Sequence, residues 1–188
     1  MKPFYQGKID TFCALYAVLN AFRLTHNIRA LKARSLFNDT LKKLSHDEKA
    51  FCDVLDQTTD YIYLIDEMLN DYSKSLPIHI EKPFSKNQVV SKDMFWNTCE
   101  EWINADKNRT AIFRFFRYFE PIGQPNVRHW TTIESINETN LRLFDSSHEA
   151  ESIQNISRNG YVTNEKDINK DVTIFIQTET LRLLRLPF

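Results

Sequence analysis

The segment YQGKIDTFCALYAVLN, residues 5–20, places a glutamine seven positions before a cysteine, and almost every residue after that cysteine is apolar. Extended to residue 25, the segment is apolar nearly all round a helical wheel, with only Cys13 and Asn20 in a polar sector. A helix that is hydrophobic on every side belongs inside a protein. Asp10 stands at the N-cap position, which predicts a buried helix over residues 11–25 with Cys13 in its first turn.

The rest of the first half also carries helix signals. Residues 29–44 are amphipathic, and their basic cluster RALKAR is typical of a solvated helix face. The tetrapeptide SHDE, residues 45–48, is a capping-box pattern that predicts the start of another helix. Further helices are predicted over residues 60–75, ending before Pro77, and over residues 92–105.

The second half is rich in strand signals. Strands are predicted over residues 77–82, 110–119, 171–178 and 181–187, while residues 127–147 alternate and break at NETN, as a hairpin does. Residues 148–170 are polar and carry no clear pattern. Because helices come first and antiparallel strands later, we expect an α+β fold in one domain, residues 1–188, with the helical half packed against one face of an antiparallel sheet.

Composition excludes several classes of protein. The net charge is −1 and no basic stripe is present, which argues against a nucleic-acid partner. No apolar run of about 18 residues occurs, so no membrane span is predicted, and the polar N-terminus does not resemble a signal peptide. An odd count of three cysteines argues against a disulfide framework and favours reduced thiols in a cytoplasm-like compartment. Export as a toxin or effector stays open.

Metal and cofactor motifs are not found in the sequence. It contains no HExxH, no CxxC and no clustered histidines, so we expect neither a metal nor a cofactor. Three glycines are too few for glycine-rich phosphate loops. Cys52 and Cys99 fall on the faces of amphipathic helices, and we expect both to pack in the core.

Cys13 is the candidate nucleophile. A thiol attacks carbonyl groups only as a thiolate, and the positive end of a helix lowers the pKa of a cysteine in its first turn. A neighbouring imidazole lowers it further and carries protons. Gln6 places a carboxamide upstream, which, with the backbone N–H of Cys13, would stabilise a developing oxyanion.

Among five histidines, His129 has the most informative position, at the start of a strand. The hairpin turn is centred near Asn137, so a symmetric register places His129 directly opposite Asp145, with Cβ atoms about 5 Å apart. A carboxylate at that distance would orient the imidazole. His79 flanks another strand and is a second candidate base, whereas His148 has no evident partner.

The segment YQGKIDTFCALYAVLNAF, followed downstream by HWTTI and LRLFDSS, resembles the papain-like cysteine peptidase superfamily. The similarity is to compact branches: the double-glycine, bacteriocin-processing peptidase domains and the Josephin deubiquitinases, with some likeness to phytochelatin synthases. The resemblance implies a buried nucleophile helix packed on an antiparallel sheet. It also implies that Gln6 is the oxyanion residue, Cys13 the nucleophile, His129 the base and Asp145 its orienter.

The sequence departs from these relatives in three places. Gln6 lies one residue further from Cys13 than is usual, Ala14 replaces the glycine that often follows the cysteine, and residues 29–105 match no part of the family. The resemblance therefore implies acyl-transfer chemistry but no particular substrate.

Three functions remain open. With water as acceptor, the enzyme would be a peptidase, isopeptidase or amidase acting on a peptide or protein; with an amine, a transglutaminase or transpeptidase. A non-enzymatic papain-fold module that binds a peptide or partner protein is the alternative. The sequence is compatible with a bacterial housekeeping peptidase, a toxin or a host-directed effector, and oligomeric state is not predicted.

Overall fold

The structure, a computed structural model, describes residues 1–6, 12–56, 58–59, 61–120, 123–147 and 153–187. Five helices are α1 Cys13–His26, α2 Ala30–Leu44, α3 Glu48–Leu55, α4 Ile62–Ser73 and α5 Lys92–Asn104. The strands are β1 His79–Glu81, β2 Arg109–Arg117, β3 Val127–Ile136, β4 Asn140–Leu143, β5 Asn155–Ser157, β6 Tyr161–Val162 and β7 Ile174–Arg185. A 3₁₀ turn spans Glu165–Asp167.

The strands form one open sheet in the order β1-β7-β2-β3-β4-β5, in which every neighbouring pair is antiparallel. The short strand β6 pairs in parallel with the start of β7. The α+β class predicted from the sequence is therefore confirmed. Residues 174–185 form one continuous strand rather than two, with a register irregularity beside Ile112 and Arg114 of β2.

Helices cover both faces of the sheet, so the prediction that they pack against one face was wrong. Ile112 of β2 faces the core formed with α1, α2 and α4, whereas Phe113 and Phe115 face a second core with α5. The reason is that β2 is apolar on both sides. A strand of that kind needs cover on both faces, but its sequence does not say which helix supplies it.

The second core contains Cys99, which is completely buried as predicted, but Cys52 is exposed, and its predicted burial was wrong. Cys52 lies on α3, a helix of 8 residues that fully buries only Val54. Such a short helix covers little of the core, and Cys52 falls on its outer side.

Helix starts differ from the capping patterns. The helix α1 begins at Cys13, after Phe12 in the N-cap position; Asp10, the predicted cap, lies outside the described residues. Asp47 rather than Ser45 caps α3, by accepting a hydrogen bond from Ala50 N at 3.0 Å. No helix in the described ranges has the length and apolarity needed to cross a bilayer.

Candidate active site

Cys13 is the first residue of α1, and only 8% of its surface is exposed. Backbone N–H groups in the first turn of a helix have no acceptor within the helix, and they create a region of positive potential. The helix is held on the sheet by Thr132 of β3, whose Oγ1 donates to the carbonyl of Ala17 at 2.8 Å. This bond fixes α1 against the middle of β3.

His129 lies on β3, and its imidazole packs edge-on against Phe115 with ring centroids 5.5 Å apart. Its Nε2 lies 2.9 Å from Oδ2 of Asp145. The side chains of His129 and Asp145 are 12% and 2% exposed, so their interaction is shielded from water. The structure thus brings together the two residues that the hairpin pattern paired.

The register of that hairpin is nevertheless not the symmetric one. Ile133 stands opposite Leu143, so Asp145 follows the end of β4 beside Thr131 and reaches His129 diagonally. The turn is displaced because the side chain of Asn137 accepts hydrogen bonds from the backbone N–H groups of residues 139 and 140. A register irregularity between Ile133 and Ser135 moves the pairing back by one residue, but not to the symmetric register.

The carboxylate of Asp145 is held by two donors besides the imidazole. Thr131 Oγ1 donates to the same oxygen that contacts His129, and the backbone N–H of Ser147 donates to Oδ1 at 2.7 Å. Burial raises the pKa of Asp145, but the charge and hydrogen bond of His129, together with these donors, lower it overall. Asp145 is therefore an oriented, ionised carboxylate at neutral pH.

Cys13 and His129 share a side-chain hydrogen bond. Since Nε2 of the imidazole faces Asp145, the nitrogen available to the thiol is Nδ1. The backbone N–H of Trp130 also donates to the sulfur. The three side chains are therefore connected in the order Cys13, His129, Asp145.

The electrostatics of this series favour a thiolate–imidazolium pair. Burial raises the pKa of the Cys13 thiol, but the hydrogen bond and charge of His129 and the N–H of Trp130 lower it below its ordinary value. Burial lowers the pKa of His129, but Asp145, with a smaller contribution from Cys13, raises it to about 10. By contrast, Cys99 is buried without such partners, and the pKa of its thiol is raised.

The backbone of Gln6 lies beside the segment that follows β4. Its backbone N–H donates to the carbonyl of Ser146 at 2.8 Å, one residue after Asp145. The chain that joins Gln6 to α1 passes through residues 7–11, which lie outside the described residues. The structure thus brings the backbone of Gln6 beside the Asp145 segment.

His79 does not share this position. It lies on β1, three strands from β3, or roughly 14 Å across the sheet, and its Nε2 pairs with Glu81 at 2.9 Å. His148 lies outside the described residues. Within the ranges that the structure describes, no group of three or more His, Cys, Asp or Glu side chains is placed to hold a metal ion.

Two side chains that contact this region were missed as functional residues. Thr131 orients Asp145, and the only available signal was that it shares a strand face with His129. Asn20 is completely buried on α1 and hydrogen-bonds the N-terminal segment. Its sequence signal was a polar residue seven positions after Cys13, on the same face of an otherwise apolar helix.

No protein-family model matches the chain, and no curated protein is significantly similar to it.

Proposed function

We propose that the protein is a cysteine-dependent acyl-transfer enzyme that hydrolyses an amide bond in a peptide or protein, as a thiol peptidase, isopeptidase or amidase. The observation that supports this function is the connected series of Cys13, His129 and Asp145 at the start of a buried helix. An activated nucleophile, a base within hydrogen-bond reach and a group that orients the base are the elements of covalent catalysis.

In the acylation step, the Cys13 thiolate attacks the substrate carbonyl carbon, and a C–S bond forms. The negative charge moves to the carbonyl oxygen, where the backbone N–H of Cys13 and the carboxamide of Gln6 stabilise it. When the tetrahedral intermediate collapses, the C–N bond breaks and the His129 imidazolium gives its proton to the leaving amine. The product is a thioester on Cys13.

In the deacylation step, neutral His129 removes a proton from water as the water attacks the thioester. The C–S bond then breaks, a carboxylic acid leaves, and the thiolate and imidazolium are restored. Throughout the cycle Asp145 keeps Nδ1 of the imidazole directed at the sulfur. An amine in place of water would give a transglutaminase or transpeptidase reaction with the same residues.

We further propose that the architecture is papain-like. Support comes from the order of the parts along the chain: a nucleophile at the start of a buried helix, then an antiparallel sheet that carries the base and its orienter on neighbouring segments. The α5 helix on the opposite face is an addition to the arrangement expected from the two sequence blocks.

Thiol labelling tests the proposed activation with internal references. Iodoacetamide is applied at pH 6, and each cysteine peptide is quantified by mass spectrometry. Cys13 should react at least tenfold faster than Cys52, although Cys52 is the exposed thiol, because the hydrogen bond and charge of His129 lower the pKa of the Cys13 thiol. His129→Ala should remove this advantage, whereas His46→Ala, an exposed control, should retain it.

A Cys13 rate equal to or below that of Cys52 would overturn the enzyme proposal and favour a peptide-binding module. If Cys13 is activated, intact-mass analysis of glutamine-containing peptides with an added amine separates the two acceptors. Hydrolysis predicts deamidation or cleavage products, and amine incorporation as the dominant product would refute the hydrolase assignment.

A further inference from the structure

The N-terminal segment of the chain, residues 4–6, is attached to α1 by a buried amide, the side chain of Asn20. Asn20 Oδ1 accepts from Phe4 N at 2.6 Å, and Asn20 Nδ2 donates to Phe4 O at 3.2 Å. These two bonds pair one side chain with both backbone groups of one residue, as a neighbouring strand would. A guanidinium contact supports the same residue, because Arg23 lies 4.4 Å from the centre of the Phe4 ring.

The same amide reaches the segment that carries Asp145. Asn20 Nδ2 also lies 3.5 Å from Phe144 O, and Gln6 N bonds Ser146 O two residues further on. Residues 4–6 therefore run alongside residues 144–146 in the same direction. The amide of Asn20 is at one end of this pair of segments, and Gln6 is at the other.

Helix geometry relates this arrangement to the nucleophile. Asn20 follows Cys13 by seven residues, so the two lie on nearly the same face of α1, about 10 Å apart along its axis. Two extended residues from Phe4 to Gln6 cover about 7 Å. The remaining distance is within the reach of a glutamine side chain.

We propose that Asn20 is a positioning residue that sets the place of Gln6 beside Cys13, and so completes the site for the substrate oxyanion. This inference rests on the proposed function. Asn20 contacts neither the reacting atoms nor the thiol–imidazole pair. It acts on Gln6 through the N-terminal segment, so we expect the thiolate not to depend on it.

Two reagents distinguish a defect in the oxyanion site from a defect in the thiolate. Alkylation by iodoacetamide is a substitution at saturated carbon and requires only the thiolate. Acylation by p-nitrophenyl acetate forms a C–S bond at a carbonyl carbon, passes through an oxyanion and releases p-nitrophenolate. The ratio of the acylation rate to the alkylation rate of Cys13 therefore reports the oxyanion site without knowledge of the natural substrate. A Cys52→Ser background removes the exposed competing thiol.

We expect Gln6→Ala to lower this ratio about 100-fold, as loss of one oxyanion donor does. Asn20→Ala should lower it at least tenfold while the alkylation rate stays within about twofold of the parent. Because both act on one group, the double variant should lose no more than Gln6→Ala alone. Thr25→Ala, which removes another buried side-chain hydrogen bond from α1, is the matched control and should leave the ratio unchanged.

Asn20→Ala could fail to fold, because it removes a buried amide. A second variant that lacks residues 1–4 leaves α1 intact and should show the same selective loss of acylation. An unchanged ratio in the folded variants, or losses that multiply in the double variant, would overturn the role of Asn20. Slow alkylation of the parent at pH 6 would instead overturn the proposed function, so the two failures are distinguishable.

Discussion

Replacement of Cys13 by serine should change how the free energy of unfolding depends on pH. Relative to the parent, the variant should lose stability as the pH rises. In the folded parent, the proposed thiolate–imidazolium pair holds one proton, on His129, because the pKa of His129 is raised and that of Cys13 is lowered. In the unfolded chain near pH 7.5 the pair also holds one proton, but on the cysteine, since His129 titrates at 6.5 and Cys13 at 9.0 when they are unperturbed. Folding then binds no net proton at this pair.

The variant loses that balance. Serine does not ionise, but Asp145, the main cause of the raised pKa of His129, is still present. The folded variant therefore retains the imidazolium proton above pH 6.5, whereas the unfolded chain releases it. The free energy of unfolding should fall with pH by up to about 1.4 kcal/mol per pH unit, the value for one proton.

The two groups contribute pH slopes of opposite sign. A raised histidine pKa stabilises the fold fully below 6.5, and the effect is lost as pH rises toward about 10. A lowered cysteine pKa stabilises the fold fully above 9.0, and the effect is lost as pH falls. Between 6.5 and 9.0 the two slopes oppose each other in the parent, and only the first remains in Cys13→Ser.

Urea unfolding of the parent and the variant at pH 6.5, 7.5 and 8.5 gives the free energy of unfolding of each. The contributions of other titrating groups cancel when the value for the variant is subtracted from that for the parent. That difference should increase by about 2 kcal/mol over the two pH units, somewhat below the one-proton limit because titration is gradual. Parallel pH profiles for the parent and the variant would refute the thiolate–imidazolium pair. Thr25→Ala should run parallel to the parent.

Three further predictions follow from single contacts. Asp145→Asn should slow alkylation of Cys13 at pH 6 at least tenfold. Loss of the carboxylate charge favours the thiolate slightly, but loss of the imidazolium outweighs that effect. An unchanged rate would contradict the connection of Cys13, His129 and Asp145. Thr131→Val should lower acylation of Cys13 by p-nitrophenyl acetate severalfold, and Thr131→Ser should restore it, because only the hydroxyl orients Asp145; equal rates in the two variants would exclude that role. Cys99→Ser should lower the free energy of unfolding in urea by about 1–3 kcal/mol, because it buries a hydroxyl. Cys52→Ser, at an exposed position, should change that free energy by no more than about 0.5 kcal/mol. Equal losses would contradict the different burial of the two cysteines.

Local patterns predicted most of the elements. Apolar periodicity located four helices to within a few residues, a capping box predicted the start of α3, and β-branched and aromatic runs located the long strands. The strands β5 and β6 were missed, because they have only 3 and 2 residues and derive their structure from neighbouring strands rather than from their own sequence. Cap positions were wrong where two candidates stood close together, as Ser45 and Asp47 do.

Some features of the candidate site were likewise predictable from the sequence, and others were not. Chain order and strand parity were enough to select Cys13, His129 and Asp145 and to predict that the last two would meet. The route of their contact was not predictable, since the turn set by Asn137 and the register irregularity after Ile133 shift the pairing. The role of Asn20 was likewise hidden, because its partners lie 16 and 124 residues away.

By itself, the sequence determined the helices and the long strands, the burial of α1, and which residues are the candidate reactive groups. Only the tertiary structure decided that α5 covers the second face of the sheet, that Cys52 is exposed, and that the thiol meets the imidazole at the start of α1. The physical reason is that periodicity and capping express interactions within a few residues of the chain. Register and packing instead depend on contacts between distant segments, whose energies are settled only when all of them are in place.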